Sequence, residues 1–318
     1  MKVYKATSND HNNLTSLMRN SKSYWGYEQK LMDKWQDELT ITKEFIENNH
    51  VFKIVVKSVI VGFFAYSTIE SLARLQSMFI LPNKIGKGLG AFMMDTFLDE
   101  LKEGPVDFIV LESDPNAEGF YKNFGFKTVS LKPTIVKKRF MPIMVKHLDV
   151  PKKGISYIFE TVRIIVREFN IEDLIDFYDM QRNPNVMRYI KKHMNIEESI
   201  KELEKFISYY DRSDELFRIW AAIEKNTNQF IGLCGVYLNE RSEYEIAYRL
   251  REKFWGQGLG KELTKQLLFY CLNILNYEEV VAYIHKENFG SIKIAQQLMQ
   301  FHAISKESDE YKFIGKRN

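Results

Sequence analysis

The feature that most constrains this chain is an internal repeat that spans a whole domain. One segment reads IGKGLGAFMMDTFLDEL and another reads WGQGLGKELTKQLLFYCL, and their first glycines, Gly86 and Gly256, lie 170 positions apart. Downstream, DFIVLESDPNAEGFYKNFGF corresponds to EVVAYIHKENFGSIKIAQQLMQF, so that Asn116 and Asn288 follow their glycine segments at similar distances. Because order and spacing are both retained, the sequence predicts two domains of the same fold.

The apolar pattern predicts the same order of elements in each half: a strand, helices, antiparallel strands, a glycine loop that opens a helix, and then a strand, a helix and a strand. The expected strands include residues 3–6, 51–57, 59–66, 75–81, 161–167, 217–224, 230–238 and 244–250. In HLDVPKKGIS, Pro151 and Gly154 interrupt the apolar pattern and indicate the seam. We therefore expect an α+β fold of two tandem domains, residues 1–149 and 155–318, each a mixed, mostly antiparallel sheet flanked by helices.

Composition excludes several classes of function. The 318 residues are 45% hydrophobic and 27% charged, as in folded proteins, and a net charge of +3 provides no broad cationic field for nucleic acid. The two cysteines, Cys234 and Cys271, form no CxxC motif, and the six histidines have no metal-ligand spacing, so we expect a reducing cytoplasm and no bound metal. The chain lacks an apolar leader and any run of about 18 apolar residues, so we expect neither secretion nor a membrane protein.

Each glycine loop is suited to holding a phosphate group, because glycines before a helix expose main-chain N–H groups at the positive end of the helix dipole. The loop GxxxxGK(S/T) is absent, and a dinucleotide fingerprint fits only the first copy, since Lys261 occupies its third small position in the second. A loop this late in a mixed sheet favours the pyrophosphate of a coenzyme. The loop residues expected to bind it are Gly86, Lys87, Gly88, Leu89, Gly90, Gly256, Gln257, Gly258, Leu259 and Gly260.

Both halves resemble the GCN5-related N-acetyltransferase (GNAT) family, whose signature (Q/R)xxGx(G/A) opens a helix. Ile85 and Trp255 stand where the signature has Gln or Arg, a departure that leaves the main-chain amides in place. In the first half, SDPNAEGFYKNFGF is similar to the family segment NxxAxxFYxxxGF. The second half resembles the branch of RimJ/RimL-type protein N-terminal acetyltransferases, but it departs at LMQFHA, where Met299 lies near the expected glycine and the last helix is predicted to end differently.

The resemblance implies a direct transfer of an acetyl group from acetyl-CoA to a primary amine, on a small molecule or a protein N-terminus. It implies that main-chain N–H groups of the strand before each loop polarise the thioester carbonyl, at Met78 and Ile80 in the first half and at Ile246 and Tyr248 in the second. A splayed strand would leave these amides unpaired.

Further roles follow from the same resemblance. Tyr121 stands at the family's usual tyrosine and is implied as the proton donor to the departing thiolate, although a ring packed on its helix is the alternative interpretation. By count, Ala295 occupies this position in the second half, which is predicted to lack the tyrosine acid. Asn116 is implied as a coenzyme contact, and the NxxS pattern implies that Asn288 and Ser291 hydrogen-bond the pantetheine arm.

A base is harder to identify from the sequence. The branch that the second half resembles often has a carboxylate at Glu245, and strand alternation puts Glu243, Glu245 and Arg249 on one face. A solvated charged face explains this pattern equally well. In the first half Glu112 is a weak candidate, and a water chain would serve as well.

The substrate side is predicted near Trp25 and Tyr27, although amphipathic helices often bury aromatic residues such as Trp35 for packing alone. The identity of the acceptor amine and the oligomeric state are not encoded in a readable pattern. A non-catalytic acyl-CoA sensor, or a pseudo-enzyme in which one or both halves only bind coenzyme, is the alternative function. A dehydrogenase is a more distant third and would bind a nicotinamide cofactor.

Overall fold

The computed structural model of the chain describes residues 1–102, 104–134, 136, 139–148, 155–212, 216–304 and 309–317. The chain divides into two compact units, Met1–Pro151 and Lys152–Asn318. Each unit is built on one mixed sheet with flanking helices, which confirms the predicted α+β fold. The interruption expected at Pro151 and Gly154 lies outside the described residues.

The first unit combines seven strands with five helices among its described residues. In chain order they are β1 Lys2–Lys5, α1 His11–Ser23, α2 Gln29–Lys34, α3 Lys43–Asn48, β2 His50–Val56, β3 Val59–Ile69, β4 Leu72–Ile80, α4 Leu89–Leu101, β5 Phe108–Glu112, α5 Glu118–Asn123, β6 Lys127–Pro133 and β7 Phe140–His147. The strands lie in the order β1-β2-β3-β4-β5-β7-β6. Neighbouring strands are antiparallel except for β4 and β5, which run parallel.

Strand β3 is buried on both faces because helices cover both sides of the sheet. Phe63 and Phe64 are neighbours in this strand, so their rings point to opposite faces, and both are fully buried. Phe64 belongs to the same apolar cluster as Met93 and Phe97 of α4, whereas Phe63 clusters with Leu14 of α1. Burying each such side chain stabilises the fold by about 2–3 kcal/mol, so α4 is held firmly where it leaves the glycine loop.

The parallel pair β4 and β5 separates along its length. Residues 72–75 of β4 pair with residues 108–111 of β5. Gln76 is then an extra residue in β4, since Leu75 lies opposite Tyr66 and Ser77 lies opposite Ala65 of β3. Beyond this bulge β4 stays paired with β3 as far as Ile80, and the described residues show no further pairing with β5. The sheet therefore opens towards the end of β4.

The second unit repeats this plan with one strand more among its described residues. In chain order its elements are β8 Tyr157–Glu160, β9 Ile164–Arg167, α6 Leu174–Gln181, α7 Pro184–Met187, α8 Ile196–Tyr209, β10 Phe217–Glu224, β11 Phe230–Leu238, β12 Tyr244–Leu250, α9 Leu259–Phe269, β13 Glu279–His285, α10 Phe289–Leu298, β14 Gln300–Ile304 and β15 Glu310–Lys316. The strand order is β14-β15-β13-β12-β11-β10-β9-β8. The parallel pair β12 and β13 meets at a single register position, Glu245 opposite Val281, so this sheet opens at the equivalent place.

Local departures from the sequence prediction have physical reasons. The strand expected over residues 161–167 begins only at Ile164, because Thr161 closes a turn by accepting the N–H of Ile164 and donating to its carbonyl. The helix that the second glycine loop opens ends at Phe269, and a π-helical turn, Tyr270–Ile274, follows it. Each unit also ends in two strands after its last helix rather than the single strand expected.

The end of α10 confirms the expectation for Met299. Its φ of −136° and ψ of 164° are extended, so the helix passes directly into β14 without a left-handed turn. In the first unit Gly125, two residues beyond α5, has a φ of +81°. The second unit thus avoids the strain that a left-handed methionine would carry.

None of the helices in the described part of the chain is both long enough and apolar enough to span a membrane.

Candidate functional site

Each glycine loop holds its first two glycines in the left-handed region of backbone conformation. The φ angles are +72° at Gly86 and +78° at Gly88, and +73° at Gly256 and +77° at Gly258. A Cβ atom built on Gly86, Gly88 or Gly256 would meet no atom within 4 Å, so these positions need glycine for its backbone freedom rather than for space. Gly88 and Gly258 are the N-cap residues of α4 and α9.

The first turns of α4 and α9 present unpaired main-chain N–H groups. The first helical hydrogen bonds run from Phe92 N to Gly88 O at 3.0 Å and from Glu262 N to Gly258 O at 3.1 Å. The N–H groups of residues 89–91 and 259–261 therefore have no acceptor within their helices. With the positive end of the helix dipole, such a nest is a binding site for a phosphate or diphosphate.

The third glycine of each loop allows close packing. A Cβ atom at Gly90 would lie 3.2 Å from the ring of Phe120, and one at Gly260 would lie 3.2 Å from Ile294 and 3.3 Å from the ring of Tyr248. A side chain at either position would have to displace these neighbours. The first turn of α4 therefore packs directly on Phe120, and that of α9 packs on Ile294 and Tyr248.

In the first unit, main-chain groups of β4 face the opening in the sheet. Leu81 N donates to Val61 O of β3 at 2.9 Å. Because successive residues in a strand direct their N–H groups to opposite sides, those of Met78 and Ile80 point away from β3, towards the side that β5 has left. The N–H groups of Met78 and Ile80, the two residues predicted from the sequence, are therefore available as hydrogen-bond donors at the opening.

The same argument holds in the second unit. Arg251 N donates to Ile231 O of β11 at 2.9 Å, so the N–H groups of Ile246, Tyr248 and Leu250 point away from β11. Only residue 245 of β12 has a register partner in β13. The pairing of residue 245 with Val281 directs the N–H of Ile246 onto β13, so Ile246 is not the free donor that the sequence predicted. Tyr248 lies beyond this pairing and presents its N–H to the opening.

In the first unit, a cavity of about 920 Å³ joins the first glycine loop to the opening beside β4. Its lining includes Met78, Ile80, Gly86, Gly88, Gly90, Asn116, Tyr121 and Trp25. Leu89 and Lys87 do not line it: the Leu89 side chain is buried in the core and Lys87 is exposed. Leu89 therefore offers only its main-chain N–H. Tyr27 lies behind the cavity wall, where its hydroxyl contacts the lining residues Asp114 and Asn116.

Tyr121 is buried, and its ring packs edge-on against Phe120 and Phe126. Burial, together with the nearby Asp114 carboxylate, raises the pKa of the Tyr121 hydroxyl well above its usual value. The hydroxyl thus keeps its proton at every physiological pH. In water a phenol is a weaker acid than a thiol, so full transfer to a free thiolate would be uphill. In a dry cavity the thiolate is destabilised as well, which favours a proton-donating hydrogen bond.

Asp114 lies at the centre of a buried charge cluster that the sequence did not reveal. It accepts from Lys22 Nζ at 2.5 Å, from Arg139 Nη2 at 2.9 Å and from the Tyr27 hydroxyl at 2.9 Å. These donors hold the pKa of Asp114 below its usual value in spite of burial. Lys22 and Asp114 are 92 positions apart, so no local motif joins them.

Glu112, the weak candidate base of the first unit, forms ion pairs within that unit. Its carboxylate accepts from Lys132 Nζ at 2.9 Å, and Arg74 lies 3.9 Å away. Its side chain lies at the edge of the cavity. The carboxylate of Glu112 is therefore already engaged by cations of its own unit.

In the second unit, Glu245 has the environment of a proton acceptor. Asn239 Nδ2 donates to Glu245 Oε2 at 3.1 Å, and Tyr237 lies opposite it on β11. Burial raises the pKa of the Glu245 carboxyl, and Glu310 adds to this rise. Its neighbour Glu243 is instead ion-paired to Lys312, and its pKa is lowered.

Asn288 and Ser291 occupy the first turn of α10. Asn288 is the N-cap, and its side chain accepts from Ser291 N at 3.2 Å. The Ser291 hydroxyl lies 3.2 Å from the hydroxyl of Tyr248. Ala295 is buried in the core, so the second unit has a Tyr248–Ser291 hydroxyl pair but no tyrosine at the position that corresponds to Tyr121.

Two arginines of the second unit, one at the glycine loop and one on β12, make contacts that the sequence did not reveal. Arg163 donates to the Gln257 carbonyl at 3.0 Å and to Glu262 at 2.7 Å, which ties the glycine loop to the start of α9. Arg249 donates to Gln181, and its buried Nε has no hydrogen-bond partner in the described structure. Burial lowers the pKa of Arg249 to about 10.

The described residues contain no group of three or more His, Cys, Asp and Glu side chains placed to hold a metal ion.

Comparisons with known proteins agree with this geometry. Residues 163–298 match a family model described as an acetyltransferase (GNAT) domain, and residues 21–143 match a second model with the same description. A relative described as an uncharacterized N-acetyltransferase, p20 of Bacillus licheniformis, is 27% identical over 142 residues, which are 43% of this chain and 79% of that protein. The protein YkkB of Bacillus subtilis (strain 168) is 24% identical over 144 residues, 43% of this chain and 81% of its own length.

Solved structures are also similar. An acetyltransferase of the GNAT family from Bacillus anthracis is 17% identical with a TM-score of 0.44, and the match covers 51% of this chain and 98% of that one. The PaiA N-acetyltransferase of Thermoplasma acidophilum, solved in complex with coenzyme A, is 20% identical with a TM-score of 0.39 and covers 46% of this chain and 98% of its own.

The two family models together match about four fifths of the chain, one in each half, and the chain therefore belongs to the GNAT acetyltransferase family, with two GNAT domains in tandem.

Proposed function

We propose that the protein is an N-acetyltransferase that moves an acetyl group directly from acetyl-CoA to the primary amine of a small molecule or a protein N-terminus. We assign one transferase domain to residues 1–149 and the other to residues 155–318. One observation carries the proposal: in each unit a left-handed glycine loop opens a helix beside a pair of parallel strands that separate. That arrangement offers amides for a diphosphate and amides for a carbonyl.

The first domain accounts for each requirement of the reaction. The amides at the start of α4 would hold the diphosphate of the coenzyme, and the N–H groups of Met78 and Ile80 would stabilise the oxyanion that forms on the acetyl carbonyl. The neutral amine attacks the carbonyl carbon, a C–N bond forms and the C–S bond breaks. The Tyr121 hydroxyl would donate a hydrogen bond to the departing sulfur and relay to it the proton that the amine releases, so that Tyr121 ends the reaction protonated.

In the second domain the amides at the start of α9 would bind the diphosphate in the same way, and the N–H of Tyr248 would stabilise the oxyanion. Asn288 and Ser291 would contact the pantetheine arm. Glu245 would take the proton of the incoming ammonium, because its raised pKa makes it a stronger base than an ordinary carboxylate.

Replacing Glu245 with glutamine tests this role. In a chain whose first domain carries Gly88→Val, we expect Glu245→Gln to lower kcat about 100-fold, the usual lower range for a general base. In the chain that carries Gly88→Val alone, the rate should fall as the pH drops through the raised pKa of Glu245, because the protonated carboxyl cannot accept a proton from the amine. This acidic limb should disappear in the variant.

Glu243→Gln is the matched control, because Glu243 lies on the same strand face but is held ionised by Lys312. It should leave the acidic limb in place. An unaltered pH–rate profile in Glu245→Gln would contradict the assignment.

A coenzyme sensor is the second candidate function for the second domain, because Ala295 replaces the tyrosine there. Thiol release from acetyl-CoA across a panel of amines separates the two functions. The proposal predicts amine-dependent thiol release by a chain whose first domain is silenced by Gly88→Val. Binding of acetyl-CoA without turnover by any amine would favour the sensor.

A further inference from the structure

The cavity of the first domain contains two buried cations that share one carboxylate. Lys22 Nζ and Arg139 Nη2 both contact Oδ2 of Asp114, at 2.5 Å and 2.9 Å. The side chains of Lys22 and Arg139 are only 12% and 14% exposed, and both line the cavity that the first glycine loop opens into. The cluster is thus part of the same chamber as the expected site of acetyl transfer.

Aromatic rings hold both cations in place. Lys22 Nζ lies 5.3 Å from the centre of the Tyr27 ring and 5.2 Å from that of Trp35, and Arg139 Cζ lies 5.0 Å from each. Rings at this distance attract a cation and fix its position. The two positive groups are therefore built into the wall rather than free to turn into solvent.

Asp114 has no capacity left for further donors. Besides the two cations, it accepts from the Tyr27 hydroxyl and from Asn116 N, at 2.9 Å and 3.0 Å. The cations, in contrast, retain donors. An ammonium has three N–H groups and a guanidinium has five, and in the described part of the chain Lys22 donates one bond and Arg139 two.

In the described part of the chain, Asp114 is the one carboxylate in contact with both cations. Of the other charged groups that line the cavity, Glu112 and Lys132 pair with each other at 2.9 Å, and Glu38 is exposed to solvent. Two largely buried cations, Lys22 and Arg139, thus share direct contact with a single carboxylate, while Glu38 acts on Lys22 only from the exposed side of the cavity. An unneutralised buried charge is costly, and a bound anion would remove that cost.

We propose that the acceptor of the first domain is an amine that also carries a carboxylate, which Lys22 and Arg139 bind while the amine reaches the acetyl group. This inference rests on the proposed acetyl transfer. The acceptor would thus be a small amino acid. Its carboxylate would bind at the wall that Lys22 and Arg139 form, which the proposed coenzyme contacts do not include.

The test compares amines that differ only in the carboxylate. Unbranched ω-amino acids, from glycine to 6-aminohexanoate, are matched with n-alkylamines of the same length, and leucine with leucinamide. For the full chain we expect the best carboxylate amine to exceed its neutral partner about 30-fold in kcat/KM, mainly through KM, as charge-assisted hydrogen bonds allow. Neutral amines that serve equally well would overturn the inference.

Variants of the two cations test whether Lys22 and Arg139 cause the preference for a carboxylate. Lys22→Met and Arg139→Gln should each reduce the preference to a few-fold while coenzyme A titrates as before, which also shows that the variants fold. Lys132→Met is the control, because Lys132 lines the same cavity but is 54% exposed and paired with Glu112. It should keep the preference. Survival of the full preference in both Lys22→Met and Arg139→Gln would contradict the assignment.

Calorimetry of the same amines with the chain saturated in coenzyme A separates this inference from the proposed function. Selective binding of carboxylate amines without thiol release would support the carboxylate site and count against acetyl transfer. Thiol release with no preference for a carboxylate would support acetyl transfer and count against the carboxylate site.

Discussion

A chain that carries Gly88→Val is expected to lose coenzyme A binding in its first domain. Gly88 has a φ of +78°, and a β-branched residue there is strained by about 2 kcal/mol, so the free loop should relax away from the binding conformation. Restoring it on binding would weaken affinity at least roughly 30-fold. In a calorimetric titration the stoichiometry should fall from two sites to one, and Gly88→Val with Gly258→Val should abolish binding.

The control isolates backbone strain from the added side chain. A Cβ atom at Gly119 also meets nothing within 4 Å, but Gly119 lies in α5 and has no positive φ. Gly119→Val should therefore leave both sites intact, and Gly88→Asn should bind better than Gly88→Val because asparagine tolerates the left-handed region. Two unchanged sites in Gly88→Val would show that the loop does not bind the coenzyme.

The second large effect is expected at Tyr121. In a chain silenced in its second domain by Gly258→Val, Tyr121→Phe should lower kcat about 100-fold and leave the affinity for coenzyme A unchanged, since only a proton donor is removed. Because burial raises the pKa of Tyr121, the parent rate should not fall as the pH rises through 10, the ordinary value for tyrosine.

Tyr66→Phe is the matched control, since Tyr66 is a buried tyrosine of the same domain whose pKa is also raised by burial but which does not line the cavity. It should leave kcat unchanged. Equal kcat values for Tyr121→Phe and its parent would assign Tyr121 to packing alone.

The sequence predicted the architecture because its signals are local and occur twice. The bounds of β10, β11 and β12 agree with the structure, since runs rich in β-branched and aromatic residues end where turn residues begin. The extended Met299 was expected, because a side chain disfavours a left-handed turn. The hairpin strand β8, Tyr157–Glu160, was missed because it is short and directly follows the segment that was interpreted as the seam.

The site was only half accessible from the sequence. The loop glycines, Glu245 and Tyr121 occur in recognisable segments, whereas the cluster of Lys22, Asp114 and Arg139 is assembled from residues 92 and 25 positions apart. Only the fold brings them together. The orphaned Nε of Arg249 was equally invisible, because a missing hydrogen bond leaves no pattern in a sequence.

The most direct test of the central claim is a calorimetric titration of the full chain with coenzyme A and, separately, with pantetheine, which lacks the diphosphate. If each glycine loop binds the diphosphate, coenzyme A should bind at two sites per chain. Pantetheine should bind roughly 100-fold more weakly. No binding of coenzyme A, or equal affinity for the two compounds, would contradict the account.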